Sequence, residues 1–399
     1  MFEPQSMLDF VIKYKVIFIF YALVILFLAL KRKSWGVQNK IIILYRTKFG
    51  LSLIEKVSAK FKEWVILLGY VGVGAGYIGM VVISYVLIKN IIDLILVPKA
   101  VSGVSLVLPG INVPGMGVLP FWHWLIAIFV IAVVHEFSHG IVAKAHGISV
   151  KSTGMVFLGP IIGAFVEPDE KKMSKHSDIQ QYSVFAAGPF SNIILAVVAL
   201  ALLSWVFTPL QQSMVEPNGF TFDAYYNDSF PIAKAGVVPG TVINGINGKA
   251  VNDFVQFSDE VSCAKPGDEL KLSTEKGNYS LILAASPDNP SKGFMGITQI
   301  KNEFEVKDAY ATGIGNVLYV AADWFNGFLR WLFLLSLGIG LFNLLPLPIV
   351  DGGRMVQVSL QRIKGKDKGN NWYGKISLLF LLILVLSLVY PFLSGLLGI

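Results

Sequence analysis

A single cysteine, Cys263, in 399 residues rules out a disulfide within the chain. It reads as a small, partly buried residue rather than a reactive thiol. Charge is scarce as well: 15% of the residues are Asp, Glu, Lys or Arg, against about 25% in an ordinary soluble domain. With 54% hydrophobic residues and a mean hydropathy of +0.63, the chain is excluded from the soluble class. Internal repeats and low-complexity segments are also missing. The apolar stretch 16–30 runs into Lys31-Arg32-Lys33 with no small-residue cleavage site, so it reads as an uncleaved first span and not as a signal peptide.

What the chain does have is apolar runs of about 18 residues or more, the length a bilayer demands. Six candidate spans follow, at roughly 11–30, 64–88, 121–143, 184–207, 327–347 and 375–396. The net charge of +7 does not point to nucleic acid, because the cations cluster beside these runs. Lys31, Arg32, Lys33, Lys40, Arg46, Lys48, Lys56, Lys60 and Lys62 crowd the first loop, which marks it as cytoplasmic. Alternation then places 144–183 and 348–374 inside, and both are basic. The N-terminus, 208–326 and the C-terminus fall outside.

Within the first loop, Leu53, Ile54, Val57, Phe61 and Trp64 recur at helical spacing among lysines. Such a helix either lies on the inner membrane surface or packs on the protein itself. Residues 152–166 are apolar, too short to cross twice, and broken by Gly159-Pro160 and Gly163. They read as a re-entrant hairpin buried beside other spans, with a surface loop as the alternative. The stretch 208–300 is polar and turn-rich, and Val242–Ile246 forms an alternating strand before Asn247-Gly248. It reads as a soluble domain inserted between two spans.

The third span carries His135-Glu136-Phe137-Ser138-His139. Positions four apart share a helix face, so both imidazoles can bind one Zn²⁺, while Glu136, about 100° around the helix, can act as general base on water. Ionisable groups at bilayer depth are costly and usually functional. A catalytic zinc needs a third protein ligand. Asp351 stands out, following Asn343-Leu344-Leu345-Pro346-Leu347-Pro348 at the inner end of the fifth span. His135 lies about 14 residues, or roughly 21 Å, from the outer end of its helix, so the two sites can meet at one depth. Pro346 and Pro348 break the helix and let the carboxylate turn inward. Alternatively, Asp351 merely opens a Gly-rich turn.

These motifs resemble those of the site-2 proteases, intramembrane zinc proteases that cut transmembrane helices. That family pairs His-Glu-x-x-His with a later Asn-Pro…Asp-Gly segment, matched here from Asn343 through Pro346 to Asp351-Gly352. Its Gly-Pro-x-x-Asn element is matched by Gly188-Pro189-Phe190-Ser191-Asn192. The resemblance covers roughly 120–210 and 327–360. It implies that His135, His139 and Asp351 bind one zinc per chain and that Glu136 activates water. It also implies that Asn343 and Asn192 face the active site, as donors to substrate or oxyanion; the other reading of both is an interhelical hydrogen bond. The 152–166 hairpin resembles the family's edge-strand element, which pairs with unwound substrate. Ala235-Gly236-Val237-Val238-Pro239-Gly240-Thr241-Val242-Ile243 and Ile246-Asn247-Gly248 resemble a PDZ domain, with Thr241 where Asp is common.

The expected fold is thus a polytopic α-helical membrane protein of about six transmembrane helices, with a re-entrant β-hairpin-like segment and one inserted PDZ-like α+β domain outside the cytoplasm. The divisions fall at 1–63, 64–207, 208–308 and 309–399. The expected activity is zinc-dependent endoproteolysis of single-span membrane proteins within the lipid bilayer. A transporter with bound metal and a catalytically silent scaffold are the alternatives. His123, His146 and His176 read as non-ligands, and Glu167, Asp169 and Glu170 as a solvated edge.

Overall fold

The computed structural model describes residues 15–30, 36–38, 42–48, 50–97, 103–104, 107–110, 112–113, 117–158 and 161–397. Contacts divide the chain into two units, Met1–Leu203 with Gly327–Ile399, and Ser204–Asn326.

The first unit is built on α1 (Lys15–Leu30), α2 (Leu51–Lys60), α3 (Lys62–Leu96), α4 (Phe121–Ala145), α5 (Asp178–Leu202), α6 (Gly313–Phe342, begun in the other unit), α7 (Asp351–Lys364) and α8 (Lys366–Leu397). A capping box formed by Ser177 and Gln180 starts α5 by satisfying orphan backbone donors at both ends of the box. Small residues set the packing. α3 turns buried Gly69, Gly72, Gly76 and Gly79 toward Ser183, Phe190 and Leu344, so the helices approach closely where bulk would hold them apart. Val142, Val184, Phe185, Leu344 and Met355 fill the space between α3, α4, α5 and α7.

Five helices among the described residues are long and apolar enough to cross a membrane: Lys62–Leu96, Phe121–Ala145, Asp178–Ser213, Gly313–Phe342 and Lys366–Tyr390. The chain is a multi-pass membrane protein. The sixth expected span, 11–30, appears as the 16-residue α1, short of the roughly 20 residues a crossing needs, and 11–14 lie outside the described residues. The span expected at 327–347 begins earlier and stops at Phe342, because Pro346 and Pro348 cannot continue a helix.

Residues 152–166 fall within a β-hairpin, β3 (Val150–Leu158) and β4 (Ile161–Pro168), with Phe157 opposite Ile162. The first loop adds β1 (Gly36–Gln38) and β2 (Ile42–Thr47) to make an antiparallel sheet ordered β1-β2-β3-β4, with Thr47 opposite Thr153. β4 is an edge strand. The expected amphipathic helix is α2; Ile54 and Ser58 are buried against the protein, whereas Leu53, Phe61 and Trp64 stay exposed.

The second unit holds β5 (Val215–Tyr225), β6 (Ile243–Ile246), β7 (Glu269–Thr274), β8 (Gly277–Ile282) and β9 (Ile297–Val306), ordered β8-β7-β6-β5-β9 with antiparallel pairing. Alternation along β5 sends Phe220 and Phe222 inward to meet Ile243, Leu272 and Phe257 of the helix Phe254–Glu260. The Asn247-Gly248 turn takes positive φ at both positions, 49° and 80°, as a tight hairpin turn requires. Cys263 is exposed, not partly buried as expected, because it falls in the turns after that helix where the core is already closed.

Candidate metal centre

Helical spacing on α4 brings His135 and His139 onto one face, with ring centroids 4.8 Å apart and Nε2 atoms 3.2 Å apart. Asp351 arrives from the first residue of α7. After Phe342 the chain turns through Leu345 and Pro346 to Ile349, which takes a φ of +80° and is 94% exposed. Two glycines close that turn. The Gly352 N–H donates to Asn343 O at 2.7 Å, and a Cβ on Gly352 or Gly353 would lie 2.1 Å from Leu344 O or 1.8 Å from Leu347 O. The Asp-Gly-Gly run is therefore what allows the carboxylate to reach the histidines.

Asp351 Oδ2 stands 3.1 Å from His135 Nε2, and Oδ1 stands 3.4 Å from His139 Nε2. Two ligand atoms on a tetrahedral zinc, each about 2.05 Å from the ion, are about 3.3 Å apart. The two imidazole nitrogens are 3.2 Å apart, and each has a different Asp351 oxygen at 3.1 or 3.4 Å, so each of these pairs has the spacing of two ligands on one ion. They form the one His/Cys/Asp/Glu group of metal-binding spacing among the described residues.

The far side of each ring is also held. His139 Nδ1–H donates to Val184 O at 2.7 Å, which commits Nε2 to the metal. His135 Nδ1 lies 3.1 Å from the Asn192 carboxamide, which is fully buried. With Nε2 given to the metal, Nδ1 carries the proton and the amide must present its oxygen. That orientation also gives Oδ1, otherwise without a partner, its acceptor role. The backbone carbonyl of Asn192 accepts Ser336 Oγ at 2.8 Å, tying α5 to α6. Asn192 thus touches a ligand ring directly. Asn343 lines the cavity and closes the Gly352 turn through its backbone.

Glu136 lines the same cavity of about 960 Å³, and its Oε2 accepts the Val166 N–H of β4 at 3.1 Å. Helix α4 therefore carries Glu136, and the sheet edge holds its carboxylate. The acidic residues expected as a solvated edge do reach the surface, with the Glu167 and Glu170 side chains 41% and 68% exposed, and each also pairs with a cation. Glu167 faces Arg46 at 3.6 Å and accepts Ser152 Oγ at 2.7 Å, Asp169 faces Lys151 at 3.6 Å, and Glu170 accepts from Arg354 at 2.9 Å. The cations come from β2, β3 and α7, elements distant in sequence.

Three contributors escape a reading of the sequence alone. One is the Val166 amide, because backbone groups leave no mark on residue identity. Another is Arg46, which required pairing β2 with β3. The third is Gly188 of α5, where a Cβ would stand 2.4 Å from His139 Nε2 and 2.6 Å from both Nε2 and Cε1 of His135, against the two rings themselves. Gly-Pro-x-x-Asn carries it in the sequence, but the sequence does not say what a side chain at the glycine would meet. The other histidines stand apart from this group. His146 Nε2 pairs with Ser183 Oγ at 3.1 Å, His176 Nδ1 pairs with Gln180 Oε1 at 3.2 Å, and His123 packs against Phe328. Burial, with His176 and Lys62 nearby, holds His146 below its ordinary pKa.

Comparison with known proteins agrees with this geometry. The sequence model of Peptidase family M50 matches residues 123–386, which include His135, His139 and Asp351. An uncharacterised protein of Methanocaldococcus jannaschii is 27% identical over 339 residues, 83% of this chain and 80% of the relative. Zinc metalloprotease RasP of Shouchella clausii is 26% identical over 255 residues, 51% of this chain and 56% of the relative. Regulator of sigma-W protease RasP of Bacillus subtilis is 23% identical over 243 residues, 50% and 55% respectively. The matched stretch spans a little over half the length of each RasP protein. Since the family match takes in about two thirds of the residues and the whole metal centre, the chain belongs to Peptidase family M50, the site-2 type of zinc metalloprotease.

Proposed function

We propose that this protein is an intramembrane endopeptidase that cuts single-span membrane proteins near the cytoplasmic end of their transmembrane segment. The observation that carries the reading is the tetrahedral spacing of His135, His139 and Asp351 beside Glu136, within a cavity walled by apolar helices and one sheet edge.

Zinc, when bound, supplies Lewis-acid polarisation of the scissile carbonyl and makes water a stronger acid. Glu136 takes the proton of the attacking water and passes it to the leaving amine. The Val166 N–H keeps that carboxylate from swinging away. Among the described residues no strand pairs with the outer edge of β4, where, apart from the Val166 N–H held by Glu136, an unwound substrate can add as a strand and expose its peptide bond. Asn343, on the cavity wall, is suited to donate to the substrate backbone. Asn192 acts through His135 and is a positioning residue.

The basic first loop supports an orientation with the N-terminus and the inserted domain outside the cytoplasm and the metal centre near the inner face. The inserted domain, about 208–308, we read as PDZ-like and as a filter against substrates that keep a bulky outer domain.

The test is cleavage of a single-span reporter in detergent by wild type, by Glu136→Gln, and by wild type with a chelator. Cleavage abolished by both changes supports the protease. Cleavage that survives Glu136→Gln overturns the assignment of the base, and metal-loaded wild type that cuts no reporter in a panel of helices supports the silent scaffold instead.

A further inference from the structure

We propose that α2 is a docking surface for the anionic headgroups of the bilayer, and that its seating there sets the position of the catalytic base. α2 has two working faces. Outward, Leu53 and the adjoining Phe61 and Trp64 are 54%, 47% and 66% exposed, and Lys56, Lys60 and Lys62 stand exposed among them. Glu55 is held by Lys144 at 2.8 Å, so its charge does not oppose those lysines. Apolar side chains interleaved with lysines are what an anionic lipid surface accommodates, the rings entering the acyl boundary while the ammonium groups meet phosphate. Position agrees with composition. One residue separates α2 from α3, a helix of span length that begins at Lys62, so α2 lies at the level where that helix leaves the bilayer.

Inward, Ile54 is 0% exposed and packs at Gly140 of the metal-binding helix, where Val166 of the sheet edge also arrives. A Cβ on Gly140 would stand 2.9 Å from both Ile54 Cδ1 and Val166 Cγ1. At the start of α2, a Cβ on Gly50 would lie 2.5 Å from the ring of Phe137, the residue after the base. Val166, whose N–H holds Glu136, and Phe137 beside Glu136 therefore border the ground on which α2 rests, and a displacement of α2 reaches both. Headgroup charge outside is thereby linked to carboxylate placement inside.

The full chain is reconstituted in nanodiscs of phosphatidylcholine with and without phosphatidylglycerol. Hydrogen exchange of residues 161–168 and kcat are both followed. In wild type, phosphatidylglycerol is expected to slow exchange of that strand and to raise kcat about fivefold, the scale of one lysine–headgroup interaction. High salt should erase the gain. The variant Lys56→Gln/Lys60→Gln should show neither response, and Ile54→Ala should lose the kcat response alone. Exchange in wild type that ignores phosphatidylglycerol, or a double variant that responds as wild type does, overturns the proposal and leaves α2 for a protein partner. Because the inference rests on the protease reading only through kcat, lipid-dependent exchange without cleavage in any disc would keep the docking and sink the protease.

Discussion

Both units of this molecule bury apolar side chains, but among the described residues only the helical unit sets buried histidines among them. In Ser204–Asn326 the interior is Phe220, Phe222, Ile243, Leu272 and Phe257, all closed to the outside. In the helical unit the interior collects His135, His139, Ser183, Gly188 and Asn192, while α3 and α5 turn Ile78, Val81, Val197 and Val198 outward. The solvent explains the difference. Water drives apolar surface inward, whereas lipid is as apolar as leucine and gives no such drive, so packing there relies on small residues and polar contacts. The polar interior so created is where the metal centre stands.

Substitutions can break or sharpen that contrast. Gly188→Ala should have the largest effect. Alanine favours a helix over glycine by about 1 kcal/mol, so α5 should persist, yet its methyl would press on both imidazole rings and push them out of place. Zinc measured by mass spectrometry is expected to fall from one per chain to near none. A comparable zinc content would show that the helices part easily here, against the tight packing described.

Phe222→Ala should destabilise its unit by about 3–5 kcal/mol in denaturant titration. Val197→Ala, 61% exposed on α5, should change stability by less than about 0.5 kcal/mol. Equal losses would mean that the apolar outer face of α5 is covered by protein. Asn192→Ala leaves the ligands intact but frees the His135 ring, and should weaken zinc binding about 10- to 100-fold in competition with a chelator.

The smallest effect concerns pH. His146 has a folded-state pKa below its unfolded value of about 6.5, so the unfolded chain binds more protons in the window just beneath 6.5. Stability is full above that window and is lost as pH falls through it. His146→Gln should flatten the dependence, and a stability that rises on acidification would contradict the sign.

How much of this was legible in the sequence depended on the range of the interactions. His135, Glu136 and His139 are one helical turn apart, and the helix period alone puts them together. Asp351 was reachable because Pro346 and Pro348 end a helix at a predictable place. The Asn247-Gly248 turn was equally local. The second pair of strands was not, since Thr47 meets Thr153 across more than a hundred residues and a short apolar run such as Ile42–Leu44 does not name its partner. The ion pairs at the cavity mouth were hidden for the same reason, because Arg46 and Arg354 reach Glu167 and Glu170 only after the sheet and α7 are in place. Gly188 was visible as a residue, but its purpose appears only when the distance from its backbone to two rings is known.

The central claim is that two imidazoles and the Asp351 carboxylate hold a single zinc. X-ray absorption at the zinc edge of purified wild type and of Asp351→Ala tests it most directly. Wild type should show only nitrogen and oxygen neighbours at about 2.0–2.2 Å, with no sulfur shell, and the variant should lose the metal or one oxygen neighbour. Identical spectra and zinc contents in the two proteins would contradict the account.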